Sequence, residues 1–165
     1  MIDVEDSAFD LQGVRILVAD DQGAIRELLS DVLENQGAEV CLAGTGTSAL
    51  ALLSEPFDIL LTDLKMPEMD GLELIQRVTE LVEPPMIIMM TGYGTVDSAV
   101  EAMKLGAYDY VLKPFRPGDI STVVFKAWRR RLEERENKIL KSQLGFYELS
   151  QELSRCGSLD SQLQS

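Results

Sequence analysis

Five short apolar runs, rich in valine and isoleucine, alternate along the chain with segments whose apolar residues recur at helical spacing. Runs of this length are typical of strands that are buried on both faces of a parallel sheet. The segments between them have the period of helices that cover such a sheet. The predicted strands are residues 14–19, 39–43, 59–62, 86–90 and 108–112. The pattern therefore predicts an α/β fold with a five-stranded parallel sheet.

Four helices are predicted between these strands, at residues 24–35, 47–54, 72–81 and 96–105. Each is followed by glycine or proline, the residues that commonly end helices. No strand pattern returns after about Pro117, so the last helix is predicted to be extended. We therefore divide the chain into an N-terminal arm at residues 1–11, an α/β domain at 12–131, a helical extension at 132–155 and a flexible tail at 156–165.

The long last helix carries an apolar residue at every seventh position. This heptad row consists of Phe125, Leu132, Ile139, Phe146 and Leu153. A seven-residue repeat is typical of a coiled-coil seam. The companion row, three positions further on, is interrupted by Arg135 and Ser142, and Gly145 is expected to loosen the helix. We expect a marginal coiled coil that makes the protein a homodimer. The alternatives are that the helix packs back on its own domain or that a further domain covers the seam.

The chain contains no histidine. This excludes Ser/His/Asp triads, Cys/His dyads, zinc sites of the HExxH type and any phosphohistidine on this chain. The 28 acidic residues outnumber the 15 basic ones, and the net charge of −13 is opposite to that of a protein that binds nucleic acid or anionic membranes. We expect neither a nucleic acid nor a membrane among its direct partners.

The two cysteines indicate a reducing compartment. Cys41 and Cys156 lie far apart and form no paired-thiol motif, so neither a disulfide framework nor a cysteine-rich metal site is predicted. Residues 1–10 are acidic, whereas a signal peptide is basic and then apolar. No apolar run reaches the ~18 residues of a membrane span. We therefore expect a cytoplasmic protein.

Polar side chains with distinct chemistry follow four of the predicted strands. Asp20 and Asp21 follow the first strand, Asp63 the third, Thr91 the fourth and Lys113 the fifth. Ligands of parallel α/β sheets bind outside the carboxyl ends of the strands. We therefore expect three carboxylates, one hydroxyl and one ammonium group to meet at one edge of the sheet.

Three carboxylates at one edge repel each other unless a divalent cation joins them. Oxygen-only ligands favour Mg²⁺. Beside such an ion, Asp63 could act as a nucleophile that becomes an aspartyl-phosphate, with Lys113 and Thr91 on the phosphoryl oxygens. Each of these residues taken alone would be an ordinary turn or helix cap. Their joint placement at four strand ends favours a phosphoryl site.

Four segments of the sequence resemble one family, the receiver domain of two-component response regulators. They read RILVADD, ILLTDLKMPEMDGLEL, IIMMTGYG and YDYVLKPF, and the resemblance spans about residues 12–131. It implies a flavodoxin-like (βα)5 receiver fold and a function as a phosphorylated regulatory domain that is not itself an enzyme. It also implies Mg²⁺ as the cofactor.

The resemblance assigns a role to each candidate site residue. Asp63 is the phosphoacceptor, while Asp20 and Asp21 belong to the Mg²⁺ pocket, which the backbone carbonyl of Lys65 completes. The remaining matched residues are Thr91 as the switch hydroxyl, Lys113 as the family's lysine, Tyr110 as the switch aromatic and Lys113–Pro114 as a cis peptide.

The resemblance implies a phosphohistidine as the phosphoryl donor, and because this chain has no histidine, that donor must lie on another protein. The resemblance implies a sensor histidine kinase or a phosphotransfer protein as that partner. An Mg²⁺-dependent phosphatase or phosphotransferase of the haloacid-dehalogenase-like type is the alternative, but it needs a second aspartate where this chain has Lys65. A flavodoxin-like FMN carrier is a third reading, which the carboxylates after the first strand disfavour because FMN is an anion.

Two features bear on signal lifetime and output. In the family, the side chains two positions after the phosphoacceptor and the switch hydroxyl flank the attacking water, and here they are Lys65 and Tyr93. The long charged helix resembles nitrogen-regulation-type regulators, in which it leads to an ATPase domain. The segment FYELSQELSRCGSLDSQL instead looks like the opening helix of a GAF domain. Both resemblances imply that the chain is part of a longer protein.

Overall fold

The computed structural model describes residues 9–92 and 96–163. Its five strands form one parallel sheet in the order β2-β1-β3-β4-β5, which confirms the predicted flavodoxin-like architecture. The elements, in chain order, are β1 (Arg15–Ala19), α1 (Gly23–Asn35), β2 (Glu39–Ala43), α2 (Gly46–Leu52), β3 (Ile59–Asp63), α3 (Gly71–Thr79), β4 (Met86–Gly92), α4 (Val96–Leu105), β5 (Asp109–Lys113) and α5 (Pro117–Leu163).

Three strands extend further than the apolar pattern predicts. Asp63, Thr91 and Lys113 lie inside β3, β4 and β5, not in the loops that follow. They remain in register, because Asp63 pairs with Met90 and Thr91 with Leu112. An apolar run does not reveal where a strand ends when its last residues are polar.

The sheet is buried on both faces. In β1, Ile16 and Val18 face a core completed by α1 and by the first turns of α5, while Leu17 and Ala19 face a core completed by α2, α3 and α4. This explains the continuous apolar runs of the sequence, since both sets of side chains avoid water. The carboxyl ends of β1, β3, β4 and β5 thereby come to one edge of a rigid scaffold.

The arm that precedes β1 is docked where it is described. The Phe9 ring packs edge-on against Phe125 of α5, with ring centroids 5.3 Å apart. Leu11 is fully buried, and its backbone N–H donates to the Gln36 carbonyl at 2.9 Å. The first member of the heptad row, Phe125, is therefore engaged by an aromatic ring of its own chain.

The last helix is long, as predicted, but it also includes the residues predicted to loosen or fray it. Helix α5 runs through Gly145 and through the predicted tail as far as Leu163. A single glycine costs a helix about 1 kcal/mol relative to alanine, which a helix of this length tolerates. The chain divides into two compact units, Met1–Arg129 and Arg130–Ser165. The domain boundaries themselves stay predictions.

In the second unit, apolar side chains of α5 are in solvent. Leu132, Ile139 and Leu149 are 41%, 57% and 60% exposed. The side chains of Phe146 and Leu153, two further members of the heptad row, lie outside the described residues. Within the part of the chain that the structure describes, no helix combines the length and apolar character needed to span a membrane.

Candidate functional site

The sheet edge brings together the side chains that the sequence places at the strand ends. Asp20 lies one residue beyond β1 and is fully buried, while Asp63 and Thr91 are buried at the ends of β3 and β4. The Lys113 Nζ atom lies 2.6 Å from Asp20 Oδ2 and 3.4 Å from Asp63 Oδ2. One ammonium group from β5 therefore bridges two buried carboxylates.

The third carboxylate, Asp21, completes a cluster with the other two. Asp20, Asp21 and Asp63 each offer one oxygen, and these oxygens all lie within 4.8 Å of one another. Asp21 is exposed, so the cluster is open to solvent on one side. Oxygen-only donors at this spacing suit a hard divalent cation such as Mg²⁺. These residues therefore fit the predicted ion, while the part assigned to the Lys65 carbonyl stays a prediction.

The environment of Asp63 opposes its ionisation. Burial raises the pKa of this carboxyl most, and the nearby charge of Asp20 raises it further. Lys113 and the Leu64 backbone N–H, which donates to Asp63 Oδ1 at 2.9 Å, act in the opposite direction and lower the pKa. Because the pKa of Asp63 is higher in the folded protein than in the unfolded chain, the free energy of unfolding falls as the pH rises from the unfolded-state pKa through the folded-state pKa. At neutral pH, ionised Asp63 therefore opposes folding.

A divalent cation should stabilise the folded protein, because it neutralises carboxylates that burial and mutual repulsion destabilise. At a concentration of 100 times its dissociation constant, Mg²⁺ should raise the free energy of unfolding by about 2.7 kcal/mol. Thermal unfolding with EDTA or MgCl₂ would measure this. Asp21→Asn should reduce the shift, whereas the control Asp31→Asn, an exposed aspartate of α1, should leave it unchanged. An equal Mg²⁺ response in Asp21→Asn would contradict this assignment.

The two predicted switch residues have different environments. The Thr91 hydroxyl oxygen is buried, and among the described residues it has no hydrogen-bond partner. Leaving a buried hydroxyl unpaired is costly, so this group is suited to a ligand oxygen. Tyr110, on β5, is 42% exposed. The switch roles of both residues stay predictions, whereas the Lys113–Pro114 peptide bond is cis, as the resemblance implies.

Two further residues support the site, and the sequence analysis did not single them out. The guanidinium of Arg26 donates from Nη1 to the Asp20 carbonyl at 2.7 Å. Gly71 begins α3 directly against the Asp63 backbone, where any Cβ would collide with the Asp63 carbonyl oxygen. Its N–H donates to the Leu64 carbonyl at 2.8 Å. The glycine could have been noticed in the segment MDG after the third strand, whereas no sequence signal marks Arg26.

Comparison with known proteins gives consistent matches over the α/β unit. The sequence model of the response regulator receiver domain matches residues 16–125. Regulatory protein AtoC of Escherichia coli (strain K12) is 36% identical over 131 residues, which cover 79% of this chain and 28% of AtoC. Sporulation initiation phosphotransferase F of Bacillus subtilis (strain 168) is 38% identical over 113 residues, which cover 68% of this chain and 91% of that protein.

A solved structure agrees with these matches. The response regulator receiver domain protein (CheY-like) from Methanospirillum hungatei JF-1 aligns with a TM-score of 0.70 at 34% identity, and the alignment covers 73% of this chain and 98% of that one. Asp20, Asp63, Thr91 and Lys113 all lie within the residues matched by the family model. The chain therefore belongs to the response regulator receiver domain family of two-component signalling systems.

Proposed function

We propose that this chain accepts a phosphoryl group on Asp63 from a sensor histidine kinase or a phosphotransfer protein. The observation that carries the proposal is the contact of Lys113 Nζ with two carboxylates of a cluster whose oxygens lie within 4.8 Å of one another. Such a cluster combines a nucleophile, a cation site and a fixed positive charge. In the proposed site, Asp20, Asp21, Asp63 and the Lys65 carbonyl would hold Mg²⁺.

In the transfer step, a carboxylate oxygen of Asp63 forms a bond to phosphorus. The phosphorus–nitrogen bond of the donor phosphohistidine breaks, and its electron pair returns to the imidazole. Lys113 holds one phosphoryl oxygen by charge, and the buried Thr91 hydroxyl donates to another. When bound, Mg²⁺ would neutralise the negative charge of the carboxylates and the phosphoryl group. Because Asp63 is buried beside Asp20, it needs these positive charges to react as a carboxylate.

An enzyme of the haloacid-dehalogenase-like type is not favoured. That reaction needs a general acid two residues after the nucleophile, and Lys65 occupies this position. The family match is to a receiver domain, and the relative AtoC is named a regulatory protein. Receiver domains are regulatory, and we propose that this one relays its state through α5 to a dimer interface or to a downstream ATPase or GAF domain. A cytoplasmic location stays a prediction.

Phosphorylation by acetyl phosphate tests the proposal directly. Incubation of the full chain with this donor and MgCl₂ should add one phosphoryl group per molecule, measured by intact mass and a phosphate-affinity gel. EDTA should prevent the reaction, and hydroxylamine should remove the group, because acyl phosphates react with it and phosphoserine does not. Absence of incorporation with both acetyl phosphate and a phosphohistidine donor would refute the proposed function.

The phosphoryl group should be long-lived because the residues that the family places around the attacking water are large. Lys65 is exposed in the β3–α3 loop, and Tyr93 lies outside the described residues. Lys65→Asn combined with Tyr93→Ala should speed hydrolysis at least about tenfold, which corresponds to about 1.4 kcal/mol of barrier. The decay of phosphoprotein after donor removal would measure this. The control Lys126→Asn, on the exposed face of α5, should not change the rate, and an equally slow double variant would contradict the idea.

A further inference from the structure

We propose that Arg26 is a positioning residue for the metal site, which it stabilises through the main chain of Asp20. This inference rests on the proposed function. Arg26 lies in the first turns of α1 and is half-buried. Its guanidinium reaches back to the end of β1, where Nη1 donates to the Asp20 carbonyl oxygen at 2.7 Å. A charge-assisted hydrogen bond of this length is among the stronger ones in proteins.

Two glycines adjoin the guanidinium of Arg26. A Cβ at Gly44, directly after β2, would lie 3.4 Å from Arg26 Nη1. A Cβ at Gly23, the first residue of α1, would lie 3.6 Å from Nη2. The guanidinium therefore lies between the loop that follows β1 and the loop that follows β2. A larger side chain at Gly44 would crowd the guanidinium without changing its charge.

Asp20 is held from four directions, and Arg26 provides one of them. The Asp20 N–H donates to the Ala43 carbonyl at 3.1 Å, and Asp20 Oδ1 accepts from the Gln22 N–H at 2.9 Å. Asp20 Oδ2 accepts from Lys113 at 2.6 Å. These three contacts fix the amide and the carboxylate of Asp20. The contact from Arg26 fixes its carbonyl.

The Asp20 carbonyl belongs to the peptide group that joins the two neighbouring metal residues. Because a peptide group is planar, a hydrogen bond that fixes its oxygen also fixes the direction of the following N–Cα bond. The orientation of Asp21 relative to Asp20 therefore depends on this plane. Without Arg26, the plane could rotate, and the exposed Asp21 carboxylate would lose its preset position beside Asp20 and Asp63.

The charge of Arg26 has the opposite effect on a cation. A guanidinium near the cluster repels Mg²⁺, so its removal would strengthen binding if charge were its main influence. Salt separates the two effects, because the Debye length falls from about 8 Å at 0.15 M to about 3 Å at 1 M ionic strength. At high salt the repulsion is weaker, although less so than between fully exposed charges, and the positional contribution remains.

Calorimetric titration of the full chain with MgCl₂ in 1 M KCl would test the inference. Arg26→Gln should weaken Mg²⁺ binding by about 10- to 100-fold, the usual effect of removing a residue that orients a metal ligand. Gly44→Val should weaken it in the same direction, since the charge stays but the guanidinium is displaced. The control Arg77→Gln, which removes an arginine paired with Glu73 on α3, should leave the affinity unchanged.

Hydrogen exchange of the metal-free protein provides a second readout. The Gln22 amide, which donates to Asp20 Oδ1, should lose protection in Arg26→Gln while the amides of β3 keep theirs. Mg²⁺ affinity within twofold of the wild type at 1 M salt, in Arg26→Gln or in Gly44→Val if the first variant does not fold, overturns the inference. Failure of the wild-type chain to accept a phosphoryl group at saturating Mg²⁺ would instead overturn the proposed function.

Discussion

Asp63→Asn is expected to abolish phosphorylation by acetyl phosphate, with a loss of at least about a hundredfold, or about 2.7 kcal/mol of barrier. An amide oxygen is a much weaker nucleophile than a carboxylate, and the buried neighbour Asp20 is poorly placed to replace it. Asp20 is fully buried, and both of its oxygens already accept hydrogen bonds, from Gln22 and Lys113. A phosphate-affinity gel after incubation with MgCl₂ would measure the loss.

The same substitution should stabilise the metal-free protein, which separates loss of the nucleophile from loss of the fold. Burial and Asp20 raise the pKa of Asp63, so the ionised carboxylate opposes folding at neutral pH, and a neutral amide removes that cost. Asp63→Asn should therefore melt at a higher temperature than the wild type in EDTA. The control Asp31→Asn should be labelled normally. Full labelling of the Asp63→Asn protein would show that the phosphoacceptor is another residue.

The fold and the main site residues could be predicted because they depend on short-range pattern and on one rule of topology. Apolar runs without alternation identify strands buried on both faces, as β1 is by Ile16 and Leu17. Parallel strands bring their carboxyl ends to one edge, so polar residues at those ends meet there. This placed Asp63 and Lys113 together although 50 residues separate them in the chain.

The remaining features depend on distances that a linear pattern does not contain. Arg26 reads as an ordinary polar residue of an amphipathic helix, and its contact with the Asp20 carbonyl arises from the path of the chain between β1 and α1. The contact of Phe9 with Phe125 likewise joins two distant segments. Gly145 lies inside α5 although glycine has a low helix propensity. A single glycine weakens a helix without ending it, so propensity alone does not predict where the helix stops.

One contact within the chain changes where we expect the heptad row to begin its contact with a second copy. The sequence predicts a row that begins at Phe125, but Phe9 of the same chain packs against that ring. Leu132 and Ile139, the next two members, are exposed. Leaving such side chains in water costs about 1.5–3 kcal/mol each relative to burial. We therefore expect the intermolecular contact to begin at Leu132 and to involve the helix that follows Arg130.

Truncation of the chain after Arg131 is accordingly expected to convert a dimer into a monomer. Sedimentation velocity at tens of micromolar should show a dimer for the intact chain and a monomer for the truncated one. The double variant Leu132→Ser with Ile139→Ser should behave like the truncation. The control Val100→Ser, which alters an exposed apolar residue of α4, should leave the dimer intact. A monomeric intact chain, with or without beryllofluoride, would refute the dimer.

The relative direction of the two α5 helices in the expected dimer can be tested with a cysteine that the chain already contains. In the sequence, Cys156 falls in the companion row, three positions after Leu153, so a parallel, in-register coiled coil would bring the two copies of this thiol together. Mild oxidation should then link the chains covalently, and Cys156→Ser should prevent it although Cys41 remains.

The dimer should be marginal, because Arg135 and Ser142 weaken the companion row. Phosphorylation should shift the dissociation constant of the dimer about 5- to 150-fold, the range of a typical coupling energy, without being required for dimer formation. A dimer seen only after phosphorylation would show that the receiver end, not the heptad row, provides the main contact.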